Sequence, residues 1–156
     1  VSDRVLVIHQ GALEQSGTPT QILDEPATEF VARFVGEVNV FPAIVRDGMA
    51  VAGALSAPLV NGHGPGPVHL VVRSYDLKFW REDPGVATVE RIVTLGDRVR
   101  VHAIVDGAGP IVAQFPRRSS LLRGIEPGCR IHVEVTRART YEADPGELAA
   151  PTTENP

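Results

Sequence analysis

The sequence predicts a mainly β fold: a small barrel of short strands preceded by a short α/β segment. From Val38 onward, apolar and polar residues alternate in short runs that Gly and Pro interrupt, as in strands. The segment RIHVEV at 130–135 is typical, because its apolar residues share one face and its polar residues the other. Asp-Gly dipeptides at 47–48 and 106–107 are hairpin-type turns. Half a dozen or so such strands favour a barrel closed on itself, because closure removes exposed edges.

The opening stretch, VSDRVLVIHQGALEQSG, predicts a β-hairpin with a turn at Gln10-Gly11. Residues 5–8 form an unbroken apolar run of the kind that is buried on both faces of a sheet. Two strands alone are only marginally stable in water. We therefore expect this run to be covered by further strands or by another chain, and the sequence to be part of a longer protein.

Two short helices are predicted after the hairpin. Thr18 is suited to cap the first helix, and Pro19 fits its first turn, where a missing N–H does no harm. Pro26 ends this helix. Apolar residues then recur at helical spacing over residues 30–35, and Gly36 stands where helices commonly end. One further short helix is expected at 119–123.

Composition excludes several classes of function. The net charge of −4 argues against a general nucleic-acid binder, which needs an excess of Lys and Arg. Lys78 is the only lysine and follows Leu77, so the chain by itself has no phosphate-binding P-loop. The five histidines lack zinc-site spacing, and Cys129 is the single cysteine, expected as a small buried hydrophobe. We predict no catalytic, cofactor or metal site in this chain.

Arginines provide the best candidate for recognition of an anion. Arg98 and Arg100 share one strand face, and the segment PRRSS places Arg117 and Arg118 beside two serines. The competing interpretation is an ordinary solvated surface, because strand faces turned to water are usually charged. Phe79 and Trp80 are expected to cover the core. The segment NGHGPGP at 61–67 is expected to be an exposed loop, and 143–156 a disordered tail.

The first forty residues resemble the end of the nucleotide-binding domain of bacterial ABC importers. In that family a strand of the pattern S/A-D-R-[apolar]4 precedes G-x-[apolar]-x-Q-x-G-T-P, then P-A-T-x-F-V and a closing phenylalanine-rich helix. The matching residues are Ser2, Asp3, Arg4, Gly11, Gln15, Gly17, Thr18, Pro19, Pro26, Ala27, Thr28, Phe30, Val31 and Gly36. The family's ATP-contacting motifs lie upstream of this strand. The resemblance therefore implies no cofactor here, and ATP and Mg in the longer protein, an ABC-type transport ATPase.

The β region resembles the C-terminal domain of these importers, an OB-like barrel of the transport-associated (TOBE) kind. VVRSYDLKF is similar to the family's apolar-Arg-Pro segment, with Ser74 in place of the proline, and VERIVTLGDRVRVHAIVDG is similar to its strand–turn–strand segment. FVGEVNVF, VRSYDL and PRR favour the sulfate/thiosulfate subfamily. We expect residues 1–37 to be the end of the ATPase domain and 38–142 the OB-like domain.

The resemblance implies an accessory, regulatory and dimerisation domain of the ATP-hydrolysing subunit of a sulfate/thiosulfate importer. Its implied partners are a second copy and, through the ATPase domain, the transmembrane permease subunits, with no nucleic acid. Its implied location is cytoplasmic, peripheral on the inner face of the cell membrane. The predicted regulatory or interface residues are Arg73, Asp76, Leu95, Gly96, Arg98 and Arg100.

Two alternatives belong to other classes of function. The barrel could bind an oxyanion such as sulfate or molybdate directly and act as a sensor. That site requires converging amides, hydroxyls and guanidinium groups, which Arg117, Arg118, Ser119 and Ser120 could offer. A weaker alternative is oligonucleotide binding through an OB-like face, which the acidic charge balance disfavours.

Overall fold

The computed structural model describes residues 3–143, which divide into two compact units at Val38 and Asn39. The first unit holds the predicted hairpin and two helices in the predicted order. Its elements are β1 (Val5–His9), β2 (Ala12–Gly17), α1 (Pro19–Asp24) and α2 (Glu29–Phe34). The tail predicted to be disordered lies outside the described residues except for Ala143.

Both helices begin at the threonines that flank them. Thr18 Oγ1 accepts a hydrogen bond from Gln21 N at 3.2 Å, and Gln21 Oε1 accepts one from Thr18 N at 2.9 Å, which completes a capping box. Thr28 Oγ1 caps the second helix by accepting from Val31 N at 3.3 Å. Each helix has six residues. Within residues 3–143, no helix has the length and apolarity that a membrane span requires.

The hairpin of the first unit buries one face. Val7, Ile22 and Val31 form a small core, whereas Leu6 and Ile8 are 62% and 63% exposed. The expectation that residues 5–8 are buried on both faces is therefore wrong within this structure. The reason is the strand period of two, which turns every second side chain away from the helices. Coverage of the exposed face by further strands or another chain stays a prediction.

The second unit consists of strands, as predicted. One five-stranded sheet has the order β12-β6-β3-β4-β5, and the other has the order β10-β9-β8-β11-β7. The strands of the first sheet are β3 (Val38–Arg46), β4 (Met49–Ala52), β5 (Leu55–Pro58), β6 (Gly66–Arg73) and β12 (Arg139–Glu142). Those of the second are β7 (Leu77–Arg81), β8 (Ala87–Leu95), β9 (Arg98–Val105), β10 (Gly109–Pro116) and β11 (Arg130–Val135). A short 3-10 helix, Ser120–Leu122, follows β10.

The mainly β, OB-like prediction is confirmed, but the described strands do not form one closed barrel. The second sheet curls so that its edge strands approach each other at one end. There Gln114 N, on β10, donates to Ser74 O, just before β7, at 2.7 Å. A closed barrel would require β7 and β10 to pair along their whole length, and the described strands do not pair in this way. Residues of both sheets form the core instead.

Alternation along the strands separates core from surface. In β11, Ile131 and Val133 are buried, whereas His132 between them is half-exposed. Phe79 is fully buried, as predicted. Trp80 is the next residue of the same strand and points to the opposite face, where it stacks on the His132 ring at 4.3 Å between centroids. The expectation that Trp80 covers the core is therefore wrong. Cys129 is buried, as predicted.

Arg130 connects three parts of the second unit at its polar face. Its Nη1 donates to Asp106 Oδ1 at 3.0 Å and to Thr88 Oγ1 at 2.9 Å. Its Nη2 donates to Asp106 Oδ2 and to the carbonyl of Gly85. The hydrogen bond from Arg130 lowers the pKa of Asp106, because it stabilises the carboxylate form.

The lowered pKa predicts that part of the stability is lost in acid. A carboxylate with a depressed folded-state pKa contributes stability above its unfolded pKa, about 3.9, and loses it as pH falls through the folded pKa. We expect Asp106→Asn to be less stable than wild type at neutral pH and to lose less stability between about pH 4 and pH 2. Urea unfolding across this range measures both effects. Asp47→Asn, at an exposed turn, is the control, and parallel stability curves for wild type and Asp106→Asn contradict the prediction.

Candidate functional site

The turn between β8 and β9 presents the first group of predicted residues. Leu95 and Arg98 face each other across the turn, and Gly96 has a φ of 61°, a conformation that favours glycine. Leu95 is 47% exposed although it is apolar. Val99 is buried between Arg98 and Arg100, so both arginines lie on the outward face of β9.

The segment that follows β10 lies against this turn. Pro116 pairs with Arg98 across the β9–β10 ladder, and Arg117 N donates to Asp97 O at 2.8 Å. Arg117, Arg118 and Ser120 are exposed. Ser119 has a local role, because its Oγ accepts from Leu121 N at 3.3 Å and so caps the 3-10 helix. The helix expected at 119–123 is therefore this single 3-10 turn.

The third group forms the turn between β6 and β7. Asp76 N donates to Arg73 O at 3.0 Å, and Asp76 O accepts from both the N and Oγ1 of Thr136 at 2.9 Å. Ser74 is 3% exposed, and its carbonyl accepts from Gln114. Gln114 in turn pairs with Arg100 across the β9–β10 ladder. The turn therefore joins β10 to the chain that follows β11.

These contacts bring together residues that are far apart in the sequence. The β6–β7 turn reaches β10 at Gln114, next to Arg100, and the segment after β10 reaches the β8–β9 turn at Asp97. All ten predicted residues thus belong to one end of the β8–β9–β10 strands and the turns beside it. We call its exposed part the Gly96 surface, which consists of Leu95, Gly96, Arg98, Arg117 and Arg118.

The charge of the Gly96 surface differs from that of the whole chain. The net charge of −4 arises from acidic residues in the first 38 positions and in the segment after 143, whereas basic side chains outnumber acidic ones within 39–143. The Gly96 surface carries three arginines, with Asp97 beside them. It is therefore a basic patch with an apolar tip, suited to contact an acidic or mixed protein surface.

Asn39 was not singled out by the sequence patterns, although it bridges the two sheets. Its Nδ2 donates to Val112 O at 2.9 Å and to Val72 O at 3.3 Å, and its Oδ1 accepts from Val112 N at 2.8 Å. The side-chain amide thus replaces a neighbouring peptide group at the edge strand β10. No local signal distinguishes this asparagine in EVNVF, because both partners are more than thirty residues away.

The side-chain amide of Asn61 likewise takes the place of a peptide group, here at the edge strand β12. Its Nδ2 donates to Thr140 O at 2.6 Å and its Oδ1 accepts from Thr140 N at 2.9 Å. His63 Nδ1 is hydrogen-bonded to Thr140 Oγ1 at 2.7 Å, and Thr140 is fully buried. The expectation of a simple exposed loop at 61–67 is therefore corrected. Gly62, Gly64 and Pro65 are exposed, but Asn61 and His63 hold the edge strand β12.

The described histidines and acidic residues do not gather into a metal site. Within residues 3–143, no group of three or more His, Cys, Asp or Glu side chains could hold a metal ion. His132 has a structural environment instead: it stacks on Trp80, and its Nδ1 lies 3.0 Å from Glu82 Oε2. The polar face around β11 thus carries cross-strand pairs.

Comparison with known proteins identifies the class of the second unit. Residues 70–141, which run from within β6 to within β12, match the TOBE domain family. This part of the chain belongs to that family. The sequence resemblance to the transport-associated OB-like domain is confirmed.

The wider relatives are ATP-binding proteins of importers. The chain is 30% identical over 142 residues, 90% of its length, to the sulfate/thiosulfate import ATP-binding protein CysA 2 of Agrobacterium fabrum. It is 38% identical over 110 residues to the corresponding protein of Xanthomonas campestris and 32% identical over 145 residues to that of Synechococcus elongatus. The alignments cover 70% and 90% of this chain, respectively.

The resemblance to the ATP-binding subunits of sulfate/thiosulfate ABC importers is therefore confirmed. The chain spans only 40%, 32% and 39% of the lengths of these three relatives. The activity of a whole subunit is accordingly a separate question.

Proposed function

We propose that this chain is the regulatory and dimerisation part of the ATP-hydrolysing subunit of a sulfate or thiosulfate importer. The observation that carries the proposal is the combination of two similarities in one chain. Residues 70–141 match the TOBE domain, and 90% of the chain aligns with a sulfate/thiosulfate import ATP-binding protein at 30% identity. In this function the chain hydrolyses nothing by itself, and ATP and Mg bind elsewhere in the subunit.

The first unit acts as the end of the ATPase domain. Its exposed apolar residues Leu6, Ile8 and Leu13 support this role, because such a face is suited to pack against further strands. The division of the chain at Val38 and Asn39 supports a boundary between the ATPase segment, 1–37, and the regulatory domain, 38–142. Through the ATPase domain the subunit works at the cytoplasmic face of the membrane with permease subunits.

The second unit acts by association with a second copy. Contact of the Gly96 surface with the β6–β7 turn of the second copy, which carries the acidic residue Asp76, biases the ATPase dimer between open and closed arrangements. Such a contact shifts the balance only as far as it is stronger in one arrangement than in the other. The exposed Leu95, which pairs with Arg98 across the turn, supports this surface, because interface cores are apolar and arginine is enriched at interfaces.

Charge reversal at the Gly96 surface tests the proposal. In the complete subunit, we expect Arg98→Glu to weaken self-association by about tenfold, which corresponds to ~1.4 kcal/mol, and to alter ATP hydrolysis and sulfate uptake. Sedimentation velocity measures self-association, a coupled phosphate assay measures ATP hydrolysis, and accumulation of labelled sulfate in cells measures uptake. Arg46→Glu, which replaces another exposed arginine but on the other sheet, is the matched control. Unchanged association and hydrolysis in a folded Arg98→Glu subunit contradict the proposal.

Direct oxyanion sensing by residues 117–120 has less support. Ser119 Oγ already accepts a hydrogen bond from Leu121 N, and the remaining side chains of this segment are exposed. Titration calorimetry with sulfate and with molybdate separates sensing from association. Saturable heat that Arg117→Ala abolishes would favour the sensor.

A further inference from the structure

We propose that Asn61 is a deamidation site and that the docking of β12 controls its reaction. The chain has three asparagines, and only Asn61 is followed by glycine. An asparagine before glycine is chemically labile, because the glycine nitrogen can approach the side-chain carbonyl without hindrance from a Cβ atom. Asn61 is thus the asparagine at which this reaction is expected.

The Asn61 carboxamide, which is the electrophile, is held in place, whereas the Gly62 nitrogen, which is the nucleophile, is unhindered. Both ends of the Asn61 amide are bonded to the backbone of Thr140, at 2.6 Å and 2.9 Å. Gly62 is exposed, and a Cβ built on it meets no atom within 4 Å. The two hydrogen bonds to Thr140 restrict rotation of the carboxamide toward Gly62 N. Docked β12 therefore holds Asn61 in an unreactive position.

The reaction needs only water as a co-reactant. Gly62 N attacks Asn61 Cγ, a new N–Cγ bond forms, and the Cγ–Nδ2 bond breaks. The amide nitrogen leaves as ammonia and takes up the proton released by Gly62 N. Water then opens the cyclic imide at either carbonyl, which leaves aspartate or isoaspartate at position 61.

Either product weakens the return of β12. An aspartate carboxylate has no N–H to donate to Thr140 O, so two acceptors face each other where a hydrogen bond was. Isoaspartate also lengthens the main chain by one methylene between 61 and 62. The described partner of β12 within its sheet is β6 alone, so loss of the Asn61 contacts frees one side of the strand. Because the deamidation itself is not reversed, the weakened docking of β12 persists.

Peptide mapping of the whole chain at mildly alkaline pH tests whether docked β12 slows the deamidation of Asn61. We expect native wild type to deamidate at position 61 at least ~10-fold more slowly than the same chain unfolded in urea, because only the opened state reacts. His63→Ala, which removes the contact to Thr140 Oγ1, is expected to react faster than native wild type. Gly62→Ala is the chemical control, since the site has room for the methyl group and the Cβ hinders the attack.

Hydrogen exchange tests the consequence for β12. We expect faster amide exchange at residues 139–142 in Asn61→Asp and in wild type deamidated after folding, with exchange in β8 and β9 unchanged. The deamidated sample keeps the test valid if Asn61→Asp does not fold. Equal deamidation rates in native and unfolded wild type would show that docked β12 does not control the reaction. Unchanged amide exchange in the deamidated protein would show that deamidation does not release β12.

Discussion

Gly53→Ala is expected to lower the free energy of unfolding by about 3 kcal/mol or more, combining left-handed backbone strain with overpacking. Gly53 has a φ of 56°, and a Cβ built on it lies 2.3 Å from Gly107 C and 2.5 Å from Asp106 O. The neighbouring Ala54 N donates to the same Asp106 carbonyl at 2.8 Å. The β4–β5 turn therefore fits against the β9–β10 turn only without a side chain.

Gly48→Ala is the matched control for this substitution. Gly48 has a φ of 75°, but a Cβ there meets nothing within 4 Å. It therefore reports the backbone strain alone, about 1 kcal/mol. Urea unfolding at neutral pH compares the two variants. Equal losses for Gly53→Ala and Gly48→Ala would show that the close approach to Gly107 does not contribute.

Asn39→Ala is the second substitution with a large expected effect, about 2–3 kcal/mol. The truncation leaves the N–H and C=O of Val112 without their partner at a partly buried edge, and each unsatisfied group costs about 1–3 kcal/mol unless water replaces the bond. The contact to Val72 O is lost as well. Amide exchange at Val112 is expected to accelerate more than exchange in the middle of β9.

A neighbouring truncation separates this bridge from a general effect on β10. Gln114→Ala shortens a half-buried polar side chain of β10 itself but leaves the backbone bond from Gln114 N to Ser74 O in place. We expect it to cost well below 1 kcal/mol, as is usual for surface substitutions. Losses of the same size for Asn39→Ala and Gln114→Ala would contradict the role given to the Asn39 amide.

Most of the secondary structure could be predicted because its signals are local. Thr18 and Pro19 start α1, and the Asp-Gly turn at 47–48 adopts positive φ values of 49° and 75°. The alternation in RIHVEV correctly separated core from surface within β11. At residues 5–8 the apolar run is unbroken, so the sequence there does not show which face of the strand packs.

The residues of the candidate site could be predicted from the sequence, but their arrangement in space could not. The resemblance pointed to Arg73, Asp76, Leu95 and Gly96, and strand alternation put Arg98 and Arg100 on one face. Only the ladder between β9 and β10 and the bond from Arg117 N to Asp97 O bring the segment 117–120 beside them. The turn at Ser74 joins through Gln114 in the same way.

The sequence by itself determined the class of fold, the order of elements, the helix caps and the kinship with transport-associated domains. Each of these depends on residues within a few positions of one another or on motif residues that occur in a fixed order along the chain. The tertiary structure decided how the strands divide into two sheets and how their edges are covered. It also decided which glycine tolerates no side chain. Asn39, Asn61 and Gly53 act on partners dozens of residues away, and such long-range contacts leave no periodic trace in the sequence.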